Sequence, residues 1–257
     1  MSRARIAGRG YGRLIRMRIR EIVLATLGLV SASFAYSTEA SAQTAGVPAI
    51  APRDETWGTV SHVMLGVGAG TVFLMPRVYY SDPEATVGWK GRWHFSSFAP
   101  AMTMAAATFL VDGPIRNAFQ SERPGCTVDQ TLVANPDSGC ETFGGPSTHA
   151  FASWGATGVG TGIFLVDTIK YSKGRFNAGS FIGNIGVPLV ASILTSVGRG
   201  VESPAVDEFG TQTLPYESSN QIIAGTFAGF FTGLLVGGAY ALLQRPSCGY
   251  GNAIFCW

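Results

Sequence analysis

Charge is what this sequence has least of. Asp, Glu, Lys and Arg supply 13% of its 257 residues, against about 25% in soluble domains. Mean hydropathy is positive, at +0.24. That shortage argues against a soluble helical protein and for one whose helices cross a membrane. Histidine is rare too, with only His62, His94 and His149. In the topology below these fall at different depths, so no shared metal site is expected. Cysteine is limited to Cys126, Cys140, Cys248 and Cys256. None belongs to a C-x-x-C pair, which disfavours zinc. The net charge of +2 says little by itself, and neither a cofactor nor a nucleic-acid partner is expected.

Glycine, by contrast, is abundant at 34 residues. Just over half of it sits within uncharged runs, of which there are six: Ile22–Thr38, Gly58–Pro76, His94–Val111, Ala150–Val166, Phe176–Gly198 and Ser218–Gln244. A helix needs roughly 17–25 residues to cross a bilayer core, and these runs are that long or nearly so. Their Gly, Ala, Ser and Thr content suits membrane helices that pack closely. Gly225, Gly229, Gly233 and Gly237 recur at every fourth position and form one smooth stripe, and Gly66 and Gly70 repeat the spacing. The predicted fold is an all-α integral membrane bundle of six helices, or five if the N-terminal segment is cleaved. Residues 1–42 are a basic arm followed by either a signal peptide or a first transmembrane helix. Seven arginines precede Ile22, and Ala40-Ser41-Ala42 fits a cleavage site. Residues 43–245 form the membrane domain and 246–257 a C-terminal tail.

With the N-terminus inside and each run crossing once, the inner segments hold the seven N-terminal arginines, Arg77, Lys90, Arg92, Lys170, Lys173, Arg175 and Arg245. Only Arg53, Arg116, Arg123 and Arg199 remain outside. This is the positive-inside pattern of a multi-pass protein of a bacterial-type inner membrane. Cys126 and Cys140 then face the oxidising exterior and are candidates for a disulfide. Cys248 and Cys256 fall inside, where thiols stay reduced.

Three of the outer arginines share their face with Pro146-Ser147-Thr148-His149. There a Gly/Pro-rich loop turns into an uncharged run. Proline and a capping serine suit a helix start, and a helix N-terminus attracts anions. Guanidinium forks match phosphate oxygens. The convergence reads as a phosphate pocket at the membrane surface, against the alternative of arginines snorkelling to headgroups.

The ordered set Arg116-x6-Arg123-Pro124, Pro146-Ser147-Thr148-His149 and Gly198-Arg199 resembles the type 2 phosphatidic acid phosphatase (PAP2) superfamily. That family reads K-x6-R-P, P-S-G-H and S-R-x5-H-x3-D at the corresponding loops. The resemblance implies phosphate binding by Arg116, Arg123, Ser147, Thr148 and Arg199. It implies His149 as the acid that protonates a leaving alkoxide. The third motif departs from the pattern, because no histidine follows Arg199. The family's nucleophile falls on Tyr216 and its orienting carboxylate on Asn220, after an insertion that holds Glu202, Asp207 and Glu208. Tyrosine ionises near 10, so turnover by Tyr216 is not favoured, and Glu217 as a base for water is no stronger. The expected function is engagement of a lipid phosphate or diphosphate at the outer face, with hydrolysis only if another residue replaces the missing histidine. The alternative is a non-catalytic protein that binds lipid headgroups or a partner. A small-molecule transporter is a third reading, disfavoured because no ionisable side chain is expected mid-helix apart from His62.

Overall fold

The structure, a computed structural model, describes residues 55–79, 92–95, 97–126, 140, 142–201 and 214–244. The Ile22–Thr38 run, the Ala42 site, the insertion at 202–213, Cys248 and Cys256 lie outside the described residues. Five helices are described. Helix α1 spans Glu55–Phe73. Helix α2 spans Phe98–Phe119, α3 Thr148–Val166, α4 Ala178–Gly200 and α5 Ser219–Leu243. Of these, α2, α4 and α5 are long and apolar enough to cross a membrane. Large apolar side chains such as Phe109, Ile169 and Val190 lie exposed on the outside of the bundle. Glycine, alanine, serine and threonine fill much of its interior. An apolar exterior around a small-residue interior is the surface of a membrane protein.

The two tightest neighbours are α3 and α5. A Cβ at Gly225, Gly229, Gly233 or Gly237 would strike the backbone of Ser147, Phe151, Gly155 or Val159 in turn. Both series advance by four residues in the same direction, so the two helices run parallel with their backbones in contact. Gly158 and Gly162 return the contact against Phe230 and Leu234. Gly66 and Gly70 do not share this role: space is open where their side chains would be. On α1 the packing glycine is Gly68, which meets Ala191 and Ser153. A repeat of spacing on one helix cannot reveal which face it turns inward.

Hydroxyl groups join the remaining helices. Ser61 Oγ donates to the Thr195 carbonyl at 3.1 Å, Trp154 Nε1 to Ser196 Oγ at 2.9 Å, and Thr157 pairs with Ser192 at 2.9 Å. These pairings set α1 and α3 antiparallel to α4. Contacts of Met104 with Gly155 and Arg116 with Thr148 set α2 antiparallel to α3. Odd-numbered helices therefore begin, and even-numbered helices end, at one pole.

Two prolines are absorbed without breaking their helices. Pro114 lies in a widened π turn, Val111–Ile115, inside α2. Pro188 follows another, Ile182–Gly186, inside α4. A wider turn relieves the missing donor and the ring clash that proline brings.

The opposite pole is closed by Arg77. Its Nη2 lies 2.7 Å from Asp167 Oδ1 and its Nε 2.8 Å from Asp167 Oδ2, both residues being buried. The same guanidinium donates to the Ala241 and Gln244 carbonyls at 3.3 and 3.0 Å, a cation at the C-terminus of α5. Arg77 belongs to a two-stranded antiparallel ribbon, β1 (Pro76–Tyr79) with β2 (Arg92–Phe95). The protein is mostly helical, as expected, and this short ribbon is a local addition to the helices. Pro76 cannot continue a helix, and Val78, Tyr79, Trp93 and Phe95 favour strands. His94, expected to open the third run, lies on β2 opposite Arg77.

The glycine contact is testable. Gly233→Leu should destabilise the detergent-solubilised protein by more than about 3 kcal/mol, the upper end for overpacking, because backbone cannot yield as a side chain can. Gly70→Leu should leave thermal unfolding nearly unchanged.

Candidate functional site

The starts of α3 and α5 meet at the first pole. Ser147 caps α3, its Oγ accepting from the Ala150 N–H at 3.1 Å. Ser218 and Gln221 form a capping box on α5. The Ser147 N–H donates to the Gln221 carbonyl at 2.9 Å, locking one helix start to the other. Just before α5 lies Glu217, 1% exposed. Its Oε2 accepts from the Ser147 hydroxyl, and its Oε1 accepts from Arg199 Nη2 at 3.2 Å. The Glu217 N–H also donates to the Arg199 carbonyl at 3.1 Å. Arg199 ends α4, is itself buried, and faces the Tyr216 ring at 4.6 Å, a cation–π contact. Its Nε has no hydrogen-bond partner among the described residues.

Arg123 reaches the cluster from the loop after α2. Arg123-Pro124-Gly125-Cys126 is a tight turn closed by the Cys126 N–H on the Arg123 carbonyl at 2.9 Å. Gly125 takes φ 79° there, which glycine allows at little steric cost. Cys126 is disulfide-bonded to Cys140, with Cα atoms 5.7 Å apart. On the far side of that bridge Thr142 receives Arg123: Nε donates to its carbonyl at 2.8 Å and Nη2 to its Oγ1 at 2.9 Å. Arg123 Nη1 donates to the Tyr216 carbonyl at 3.2 Å. One arginine thus ties the disulfide loop to the approach of α5.

The structure brings Arg123, His149, Arg199 and Tyr216 together at one pole. The other expected site residues need correction. Arg116 is bound by Asp112 at 2.5 Å, one turn earlier on α2, and by the Phe143 carbonyl, Thr142 and Thr148. It fastens the loop and touches the cluster only through those threonines. The i, i+4 spacing of Asp112 and Arg116 was the available signal. Ser147 is engaged by Glu217, and Thr148 donates to Asp112 at 2.9 Å. Neither hydroxyl is presented as a phosphate ligand. Asn220 is exposed in the first turn of α5, and among the described residues no hydrogen bond joins it to the cluster. It cannot orient a nucleophile, because the capping box fixes that turn with Asn220 facing outward. Tyr216 is present, but its hydroxyl end packs on Gly58, where a Cβ would lie 2.6 Å from Oη. It supports Arg199 and points at α1.

The main correction concerns the histidines. His62 and His149 do meet: their rings stand edge to face with centroids 4.9 Å apart. The crossing count already implied it. Alternating crossings put the starts of α1 and α3 at one pole, and His62 lies in the second turn of α1, not in mid-helix. Even so, no three of His, Cys, Asp and Glu gather as metal ligands among the described residues.

Electrostatics separate the two central titratable groups. His149 precedes the uncharged run that begins at Ala150. Burial, and after it the Arg199 guanidinium, pull its imidazole from 6.5 down to about 4, with Glu217 opposing. Burial alone would raise the Glu217 carboxyl, but Arg199, then Arg123, the Ser147 hydroxyl and His149 hold it below its ordinary 4.5. Glu217 is therefore the ionised anion of the cluster, and it occupies the fork of Arg199.

A carboxylate depressed on folding stabilises the protein above its unfolded value and loses that contribution as pH falls through the folded one. Thermal stability of the wild type should hold above pH 4.5 and decline below it, whereas Glu217→Gln should flatten this limb. Glu217→Ala, which strands a buried guanidinium, should cost about 3–5 kcal/mol in detergent unfolding at pH 7. Neither a family model, nor a curated protein, nor a solved structure matches the chain.

Proposed function

We propose that the chain is a PAP2-like, six-helix protein of a bacterial-type inner membrane that takes the phosphate or diphosphate of a lipid at the outer face. The observation that carries the reading is the convergence of Arg123, Arg199 and His149 at a single pole of the bundle. A guanidinium pair around an imidazole is a receptor for a tetrahedral anion. The unpartnered Arg199 Nε adds a donor to that receptor. The orientation is supported by two further features. The Cys126–Cys140 bridge lies at the cluster's own pole, as an oxidising exterior requires. Arg77 and Lys170 lie at the other pole, beside the end of α5, as the positive-inside pattern requires.

A second reading is favoured by one specific contact. Glu217 fills the position on Arg199 and Ser147 that an incoming anion would use. This supports a protein that binds a headgroup without turning it over.

Both readings require recognition of the phosphate. Purified protein should bind vesicles containing phosphatidic acid and not vesicles of phosphatidylcholine alone. Arg123→Ala should weaken that binding roughly tenfold or more, the value of a charged hydrogen bond. Equal binding to both vesicles would overturn the proposal. Release of inorganic phosphate from bound phosphatidic acid then separates the enzyme from the non-catalytic binder.

A further inference from the structure

His62 belongs to none of the three motifs, yet its ring meets that of His149. Its Nδ1 lies 2.7 Å from the Gly58 carbonyl. A carbonyl oxygen can only accept, so Nδ1 carries the proton and the neutral ring keeps its lone pair on Nε2. The residue is exposed, and no hydrogen bond to Nε2 is present among the described residues. Its place is fixed from three sides. The neighbouring Ser61 is held to the Thr195 carbonyl. Gly198 packs on Trp57 and Ser61. Gly58, which orients the imidazole, also receives the Tyr216 hydroxyl, and Tyr216 in turn supports Arg199. A closed path of contacts thus runs from the guanidinium through Tyr216 and Gly58 to His62 and on to His149.

We infer that His62 is the nucleophile of a lipid-phosphate hydrolase site, supplied from α1 in place of the residue missing before α5. This rests on the proposed recognition of a lipid phosphate. In the first step His62 Nε2 attacks phosphorus, an N–P bond forms, and the P–O bond to the lipid breaks. The departing oxygen takes a proton from His149, while Arg123 and Arg199 stabilise the equatorial oxygens. In the second step water attacks phosphorus and the N–P bond breaks, returning its electron pair to His62. The water's proton passes to His149, and inorganic phosphate leaves. A phosphate dianion beside His149 favours the protonated ring, opposing the burial and the Arg199 charge that keep it neutral otherwise. Tyr216 is in this scheme a positioning residue, and Glu217 holds Arg199 in place.

The test uses the full-length protein in phosphatidylcholine vesicles with phosphatidic acid carrying a radioactive phosphate. Alkaline quenching should trap a label that acid removes, the signature of a phosphorus–nitrogen bond, on the peptide containing His62. His62→Ala should abolish the label and lower phosphate release by roughly 100-fold or more, while phosphatidic acid binding stays at the wild-type level and so reports an intact fold. Tyr216→Phe should still become labelled. Label on another residue, label surviving in His62→Ala, or binding without either release or label overturns the inference and leaves the recognition standing. Failure of the wild type to bind phosphatidic acid overturns both.

Discussion

The arrangement depends on backbone meeting backbone along α3 and α5. Four glycines let the two parallel helices approach so closely that Ser147 lies against Gly225 and hydrogen-bonds the Gln221 carbonyl. That contact sets the two helix starts level with each other. Once they are level, Glu217 faces the Ser147 hydroxyl and the end of α4, and Arg199 finds its partner there. The cluster is the end-on consequence of a packing decision made along the whole length of the bundle. Dispersion and close approach, rather than hydrophobic burial, hold such helices together in a lipid environment.

The two poles solve the same electrostatic problem differently. At one, Arg77 and Asp167 form a closed bidentate pair that also caps α5, and the pair is fully used. At the other, Arg199 and Glu217 share a longer single contact, with a half-buried histidine and a loop arginine beside them. A buried pair with complete partners is structural. The second pair keeps an unpartnered donor on Arg199 and has two imidazoles nearby, features that functional sites share with some structural networks.

Much of this was legible in the sequence. Uncharged runs marked the helices because a membrane span excludes charge whatever its neighbours are. Arg123, His149 and Arg199 could be gathered because alternation of crossings fixes which ends share a face. The same alternation places His62 toward that face, but the uncharged residues on both sides of it obscure the fact. Local detail was less legible. Whether Arg116 faced the cluster or Asp112 depended on helix rotation, and whether Asn220 faced in or out depended on the capping box at Ser218 and Gln221. The glycines at 66 and 70 carry the same spacing as those at 229 and 233, and only the neighbouring backbone tells them apart.

The bridge between Cys126 and Cys140 has a consequence for the order in which the molecule is completed. Arg123 precedes one half-cystine and Thr142 follows the other, and the arginine grips the threonine across the bond. The helices can associate without that bond, since none of their contacts passes through it. The arginine's hold on the α5 approach is different, because it belongs to a loop that thiol oxidation closes. Completion of that pole therefore waits on an oxidant, and a chain kept among reductants would possess its bundle before this grip on α5.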